Sequence, residues 1–142
     1  MLHEELGIKK NSSIDKILII GANGNVGKVL IPELLKFGYK VRALEYRSKI
    51  QERDGLEILN GNTLDLDSLK RAVDGVDAIC HLIRGTGPGD TVCEKWFNCC
   101  VRGSVNLLEA AKEVKLVRYI TGSADNVFGH VTIPHYGPIT EN

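Results

Sequence analysis

The stretch Lys16-Ile-Leu-Ile-Ile-Gly-Ala-Asn-Gly-Asn-Val-Gly27 decides the fold. Its apolar run, Ile17 to Ile20, reads as a buried strand. Glycines follow at 21, 24 and 27, and then a helical period sets Val26, Val29, Leu30, Leu34 and Phe37 on one side. Each glycine has a physical task. Gly21 lets the chain turn sharply off the strand, and Gly24 has no side chain to hold a pyrophosphate away from the backbone. Gly27 lets the helix pack close to the sheet. The helix start then offers unpaired N–H groups and a positive dipole end to phosphates. A glycine-rich turn before an ordinary surface helix is the plain alternative, and the strand–turn–helix context weighs against it.

The bulk properties narrow the classes. At 142 residues the chain is one domain at most, long enough to bury a core. Eighteen basic and eighteen acidic residues cancel, so no global field draws in nucleic acid or an anionic membrane. No stretch approaches the length of a membrane span, and the start, Met1 to Lys10, lacks the basic-then-apolar order of a signal peptide. Cytoplasm is the expected compartment. Cysteines 80, 93, 99 and 100 fall inside expected strand or helix, which favours reduced core thiols over a disulfide framework. A metal site from Cys93, Cys99, Cys100 and His81 lacks Cys-x-x-Cys or His-x-x-x-His spacing, so no metal is expected.

Along the chain, residues 1–14 form an extension and 15–142 a single domain. Asn25 is the expected N-cap of the first helix, which runs to Phe37, tolerates Pro32 and stops at Gly38. Lys40 to Glu45 reads as the second strand, Arg47 to Arg53 as a short charged helix or turn, and Glu57 to Leu59 as the third strand. Asp65 caps a helix from Leu66 to Val73, with Leu66, Leu69, Ala72 and Val73 on one face. Ala78 to Ile83 is the fourth strand and Arg84 to Gly89 a loop. A long helix over 91–114 should lay Cys93, Phe97, Cys100, Val101, Ser104, Leu107, Leu108 and Ala111 on the sheet, and Val117 to Thr121 is the fifth strand.

Strands alternating with helices predict an α/β, Rossmann-like doubly wound parallel sheet of order 3-2-1-4-5. Ligand binds beyond the carboxyl ends of such strands, at the switch between strands 1 and 4. Glu45 lies eighteen residues after Gly27 at the tip of strand two, where a carboxylate accepts both adenosine ribose hydroxyls and repels a 2′-phosphate. Arg47, two positions on, could instead grip that phosphate, or both could be solvated surface charges. The reading favours NAD over NADP.

Five segments carry a family resemblance. They are Gly21-Ala-Asn-Gly-Asn-Val-Gly27, Gly61-Asn-Thr-Leu-Asp65, Val76-Asp-Ala-Ile-Cys-His-Leu82, Val101 to Ala111 and Val117 to Gly129. Together they resemble the extended short-chain dehydrogenase/reductases, specifically the NAD-dependent epimerase/dehydratase family. The resemblance implies reversible hydride transfer on nucleotide-linked sugars or related carbonyl and alcohol substrates, carried by a Ser/Thr, a Tyr and a Lys. It implies cofactor contacts at Gly21, Asn23, Gly24, Asn25, Val26, Gly27, Glu45, Asn62, Thr63, Leu82, Ile83, Arg84 and Cys100. It also implies a homodimer through the 91–114 helix; Trp96 and Phe97 read as packing residues, which such a partner could cover.

Five departures stand out. Asn62 replaces an adenine-binding Asp, Ile83 and Arg84 replace small residues, and Cys100 replaces an Asn. The Ser/Thr position falls on Ala124, with Ser123 one residue earlier, on the other side of a strand end. No Tyr-x-x-x-Lys occurs: Tyr39, Tyr46, Tyr119 and Tyr136 are followed four residues later by Ala43, Ile50, Ser123 and Thr140. Without that pair hydride transfer has no general acid or base. The expectation is a domain incomplete at its C-terminal end, cut before the last strands and the substrate lobe, binding a dinucleotide but inactive alone. A non-catalytic NAD(H)-binding module or sensor, and a cofactor-free interaction domain, are the alternatives. His81 reads as a buried or half-buried polar residue rather than a catalyst, and His130 and His135 as surface residues.

Overall fold

The computed structural model describes residues 9–46, 50–83 and 93–123. Strands β1 (Lys16–Ile20), β2 (Lys40–Glu45), β3 (Leu56–Asn60), β4 (Ala78–His81) and β5 (Arg118–Thr121) form one sheet of order 3-2-1-4-5. All four pairings are parallel. The expected sheet is therefore the observed one, with β3 a residue longer at each end and β4 ending at His81 rather than Ile83.

The alternation of β1 divides the core. Leu18 and Ile20 point to one face, where they meet Leu69, Ala72, Val73, Leu107 and Ala110. Ile17 and Ile19 point to the other, where they meet Ile31 and the half-buried Leu30, Leu34 and Leu35. Helix α1 (Asn25–Lys36) thus covers one face, while α2 (Leu66–Val73) and α4 (Gly103–Ala111) cover the other. Ile14, in the last turn before β1, is buried beneath α1's face of the sheet.

Three expectations need correction. In α1, Val26 and Val29 are 61% and 68% exposed, so the stripe facing the sheet is Gly27, Ile31 and Leu34 with Leu30 and Leu35 beside it. The periodic reading missed this because the closest contact is made by a glycine, which carries no hydrophobic signal. Asn25 is the first helical residue, and the N-cap is Gly24, which makes no side-chain capping bond. Between β2 and β3, residues 50–53 have no regular structure before the turn at Asp54-Gly55, so no helix is found there among the described residues. Asp65 does cap α2, its carboxylate accepting the Asp67 N–H at 3.1 Å.

The long helix is the third correction. It runs as α3 (Cys93–Phe97), a π-turn (Asn98–Arg102) and α4, and ends at Ala111 rather than Val114. The widened turn inserts one residue into the period. Downstream of it the sheet-facing residues are Gly103, Leu107 and Ala110; Phe97, Val101 and Leu108 are exposed instead. Ser104 Oγ donates to the Cys100 carbonyl at 2.6 Å, satisfying an acceptor in the widened turn. Strand β5 pairs with β4 alone among the described residues, and Ile120 on it is exposed, as an uncovered edge strand would leave it. No helix of the described residues is long and apolar enough to cross a membrane.

Candidate functional site

Beyond the carboxyl ends of β1, β2 and β4 lies an open cleft of about 900 Å³. Its floor is the turn that leaves β1. Gly21 has φ +90°, a left-handed value, and a Cβ there would stand 2.9 Å from the Leu82 carbonyl carbon. The turn therefore nests against the chain leaving β4, at the switch point of the sheet. A Cβ on Gly27 would come within 2.5 Å of the Ala22 oxygen and 2.6 Å of the Gly21 oxygen, so only glycine seats α1 this close. No acidic residue occupies α1's first turn and no side chain caps it. Its leading N–H groups and dipole are thus left to an acceptor from outside.

The β2 and β3 tips make one wall. Glu45 is 9% exposed yet lines the cleft, and its Oε1 accepts the Tyr46 N–H at 3.0 Å, which fixes the carboxylate at the rim. Gly61 follows β3, tied by its N–H to the Glu45 carbonyl at 2.8 Å. A Cβ at Gly61 would collide with Ser68 Oγ, whose hydroxyl instead accepts the Asn62 N–H at 3.1 Å. Asn62 Oδ1 accepts the Leu64 N–H at 3.0 Å, leaving the amide nitrogen as the donor end of that side chain. Thr63 is buried: its carbonyl accepts Asn106 Nδ2 at 3.1 Å, and Gly103 packs on its hydroxyl.

The opposite wall is Leu82, Ile83 and the upstream half of the long helix. Ile83 leans on the core behind it, so its bulk does not close the cleft. Lys95, Asn98 and Cys99 face the cleft; Cys100, expected there, does not line it. The inserted π-turn residue is the reason. It turns Cys99 to the position that an unbroken helix would give its neighbour, a shift that no side-chain pattern announces. Burial, and after it the adjacent Cys100, push the Cys99 thiol up, so it rests protonated. Arg47, Arg84 and Ala124 lie outside the described residues, as do His130 and His135, while Ser123 is exposed two residues after β5. Of the expected cofactor positions, all but Arg84 and Cys100 line this one cleft.

His81 behaves as expected of a buried polar residue. It is 4% exposed, its Nδ1 lies 3.0 Å from the Tyr119 hydroxyl, and burial lowers its pKa. No group of three or more potential metal ligands occurs among the described residues, where Cys80, Cys99 and Cys100 form no disulfide.

The model of the NAD dependent epimerase/dehydratase family matches residues 17–142. The chain belongs to that family. A 3 beta-hydroxysteroid dehydrogenase/Delta 5-->4-isomerase of Mycobacterium tuberculosis is 31% identical over 123 residues, 82% of this chain and 33% of that protein. Among solved structures, a short-chain dehydrogenase/reductase superfamily protein from Agrobacterium tumefaciens with bound NAD is 28% identical. It superposes with a TM-score of 0.69 over 80% of this chain and 34% of its own. The Bordetella bronchiseptica enzyme WbmG in complex with NAD and UDP shares the fold at 23% identity and a TM-score of 0.65, over 74% and 36% of the two chains. The chain spans about a third of the length of the curated relatives it matches.

The cleft fits the dinucleotide of this NAD-dependent family. The glycine turn is a cradle that side chains would fill, α1's N-terminus is uncapped, and Glu45 and Asn62 supply an acceptor and a donor further along.

Proposed function

We propose that this chain is the NAD-binding portion of an epimerase, dehydratase or reductase that acts on a nucleotide-linked sugar by reversible hydride transfer. The observation that carries it is the uncapped α1 start seated by glycines on the turn after β1, which itself packs on the chain leaving β4, with a buried-rim carboxylate at the β2 tip. In this reading the amides of residues 25–27 hold the pyrophosphate and Glu45 accepts the adenosine ribose hydroxyls. Asn62 donates to adenine, and the bound cofactor supplies the hydride chemistry. NAD is preferred to NADP because a 2′-phosphate would meet the Glu45 carboxylate. A nucleotide sugar is supported by the shared fold of the UDP-bound neighbour.

No Tyr-x-x-x-Lys occurs in residues 1–142 and the Ser/Thr position is Ala124, so in this proposal the acid–base groups come from outside these residues. Those two departures favour a second reading, a non-catalytic NAD(H)-binding module. Calorimetric titration separates the claims. Wild type should bind NAD⁺ at least about tenfold more tightly than NADP⁺, and Glu45→Arg should reverse the order. An unchanged NAD⁺ affinity in Glu45→Arg ends the ribose role, and a flat NAD⁺ titration of folded chain ends the function. The 142-residue chain should form no NADH with sugar nucleotides, whereas turnover by this chain would show that its own residues complete the site.

A further inference from the structure

We propose that Lys95 holds a phosphate oxygen of the molecule bound in the cleft, an inference that rests on the dinucleotide reading above. Among the described lining residues two carry charge, Glu45 and Lys95, and they stand apart. Glu45 ends β2, whereas Lys95 belongs to the helix that follows β4, and the sheet order places β2 and β4 on opposite sides of β1. The acidic end suits hydroxyl donors; the basic end suits an oxyanion. Lys95 enters no ion pair among the described residues, and its neighbour Glu94 does not line the cleft.

A second side chain on the same helix face strengthens the wall. Asn98 lies three residues on, and its Oδ1 accepts Arg102 Nη1 at 3.3 Å across the π-turn. With its acceptor engaged, the amide presents its nitrogen, a donor, beside the ammonium. Across the cleft the leading N–H groups of α1 are donors as well. A slot with donors on both walls and one cation selects an acceptor-rich anion, which water or a neutral polar group matches poorly. That anion has two sources of the same chemistry: the cofactor's pyrophosphate, or the diphosphate of a nucleotide-linked substrate. The π-turn is what sets this wall, since removing its extra residue would rotate Lys95 and Asn98 relative to α4 by about 100°.

Calorimetric titration of wild type, Lys95→Gln and Lys95→Arg tests the inference with three probes: NAD⁺, inorganic pyrophosphate, and UDP added to NAD⁺-saturated protein. Lys95 is exposed, so both variants should melt with wild type. A loss of about tenfold in NAD⁺ and pyrophosphate affinity in Lys95→Gln, restored in Lys95→Arg, places the cofactor's phosphates on Lys95. Unchanged NAD⁺ binding with a similar Arg-restored loss for UDP places the substrate's there. Equal affinities in wild type and Lys95→Gln for all three probes overturn the proposal. Lys95-dependent pyrophosphate binding without any NAD⁺ binding sinks the dinucleotide reading while Lys95 stands. A wild type that binds none of the three sinks both.

Discussion

The two ends of the parallel sheet treat polar groups in opposite ways. At the amino end Lys16, Lys40, Arg42 and Glu57 on the strands, with Asp15 and Asp77 just before them, all have protein partners. Asp77 accepts the N–H groups of Asp15 and Lys16 at 2.8 and 2.9 Å, and Lys40 pairs with Asp15 at 2.8 Å. Arg42, 10% exposed in its side chain, pairs with Glu57 at 2.9 Å and donates to the Ala72 carbonyl at 3.0 Å, closing the C-terminal end of α2. These bonds hold the carboxyls of Asp15, Glu57 and Asp77 below their ordinary ranges. At the carboxyl end α1 begins uncapped, and the cleft is lined by backbone and by polar as well as apolar side chains. One end engages its charged groups within the chain; at the other, the proposed function gives the α1 amides to a ligand.

The sharpest way to break that contrast is Gly27→Ala. The added Cβ would press on two backbone oxygens, at 2.5 and 2.6 Å, which no rotamer can relieve. Helix α1 must then move off the turn, losing roughly 2 kcal/mol of stability and, with the phosphate cradle opened, about a hundredfold in NAD⁺ affinity. Thermal melts and NAD⁺ titration read the two effects. Wild-type affinity in this variant would remove the cradle from the binding account.

Arg42→Met is the counterpart at the other end. Methionine keeps the volume but leaves the closing carbonyls of α2 without their donor and Glu57 with Lys16 alone, at 3.3 Å. A loss of roughly 2 kcal/mol in urea unfolding is expected, with NAD⁺ affinity of the folded chain unchanged. A fall in affinity with little loss of stability would mean that the two ends are not separable.

How much of this was legible in the sequence follows the same division. The strands, their order and α2 were readable because apolar runs, an Asp65 cap and glycine stops each signal locally. So were most cleft residues, since they belong to a glycine pattern tied to strand tips. Three features were not. Helix α1's sheet-facing stripe is centred on Gly27, which a hydrophobic period cannot register, and so Val26 and Val29 were assigned to the wrong side. The π-turn is a one-residue slip in phase; it hid Lys95 and Asn98 and shifted the wall from Cys100 to Cys99. The amino-end clamp escaped as well, because Arg42 sits in a strand where its charge suggests exposure and only the fold brings α2's last carbonyls to it.

The smallest effect concerns a residue that crosses the division. His81 stands at the carboxyl end, yet its ring turns inward, with Tyr119 on Nδ1 and no partner for Nε2. Protonation would place a second N–H in that dry site, which together with burial explains a pKa below the ordinary 6.5. The unfolded chain therefore takes up a proton at His81 that the folded chain refuses. Stability from this group is complete above pH 6.5 and is lost as pH falls towards the folded value, with a slope of at most about 1.4 kcal/mol per pH unit. The amino-end carboxylates, held below their ordinary values of 3.8 and 4.5, also lose their contribution on acidification, but only in a lower window. Subtracting the urea-unfolding curve of His81→Asn from that of wild type across pH 5 to 8 isolates the histidine. A difference that grows as pH rises towards 7 matches the buried ring. A flat difference would mean that His81 titrates alike in both states, and that its ring reaches water through the cleft side of β4.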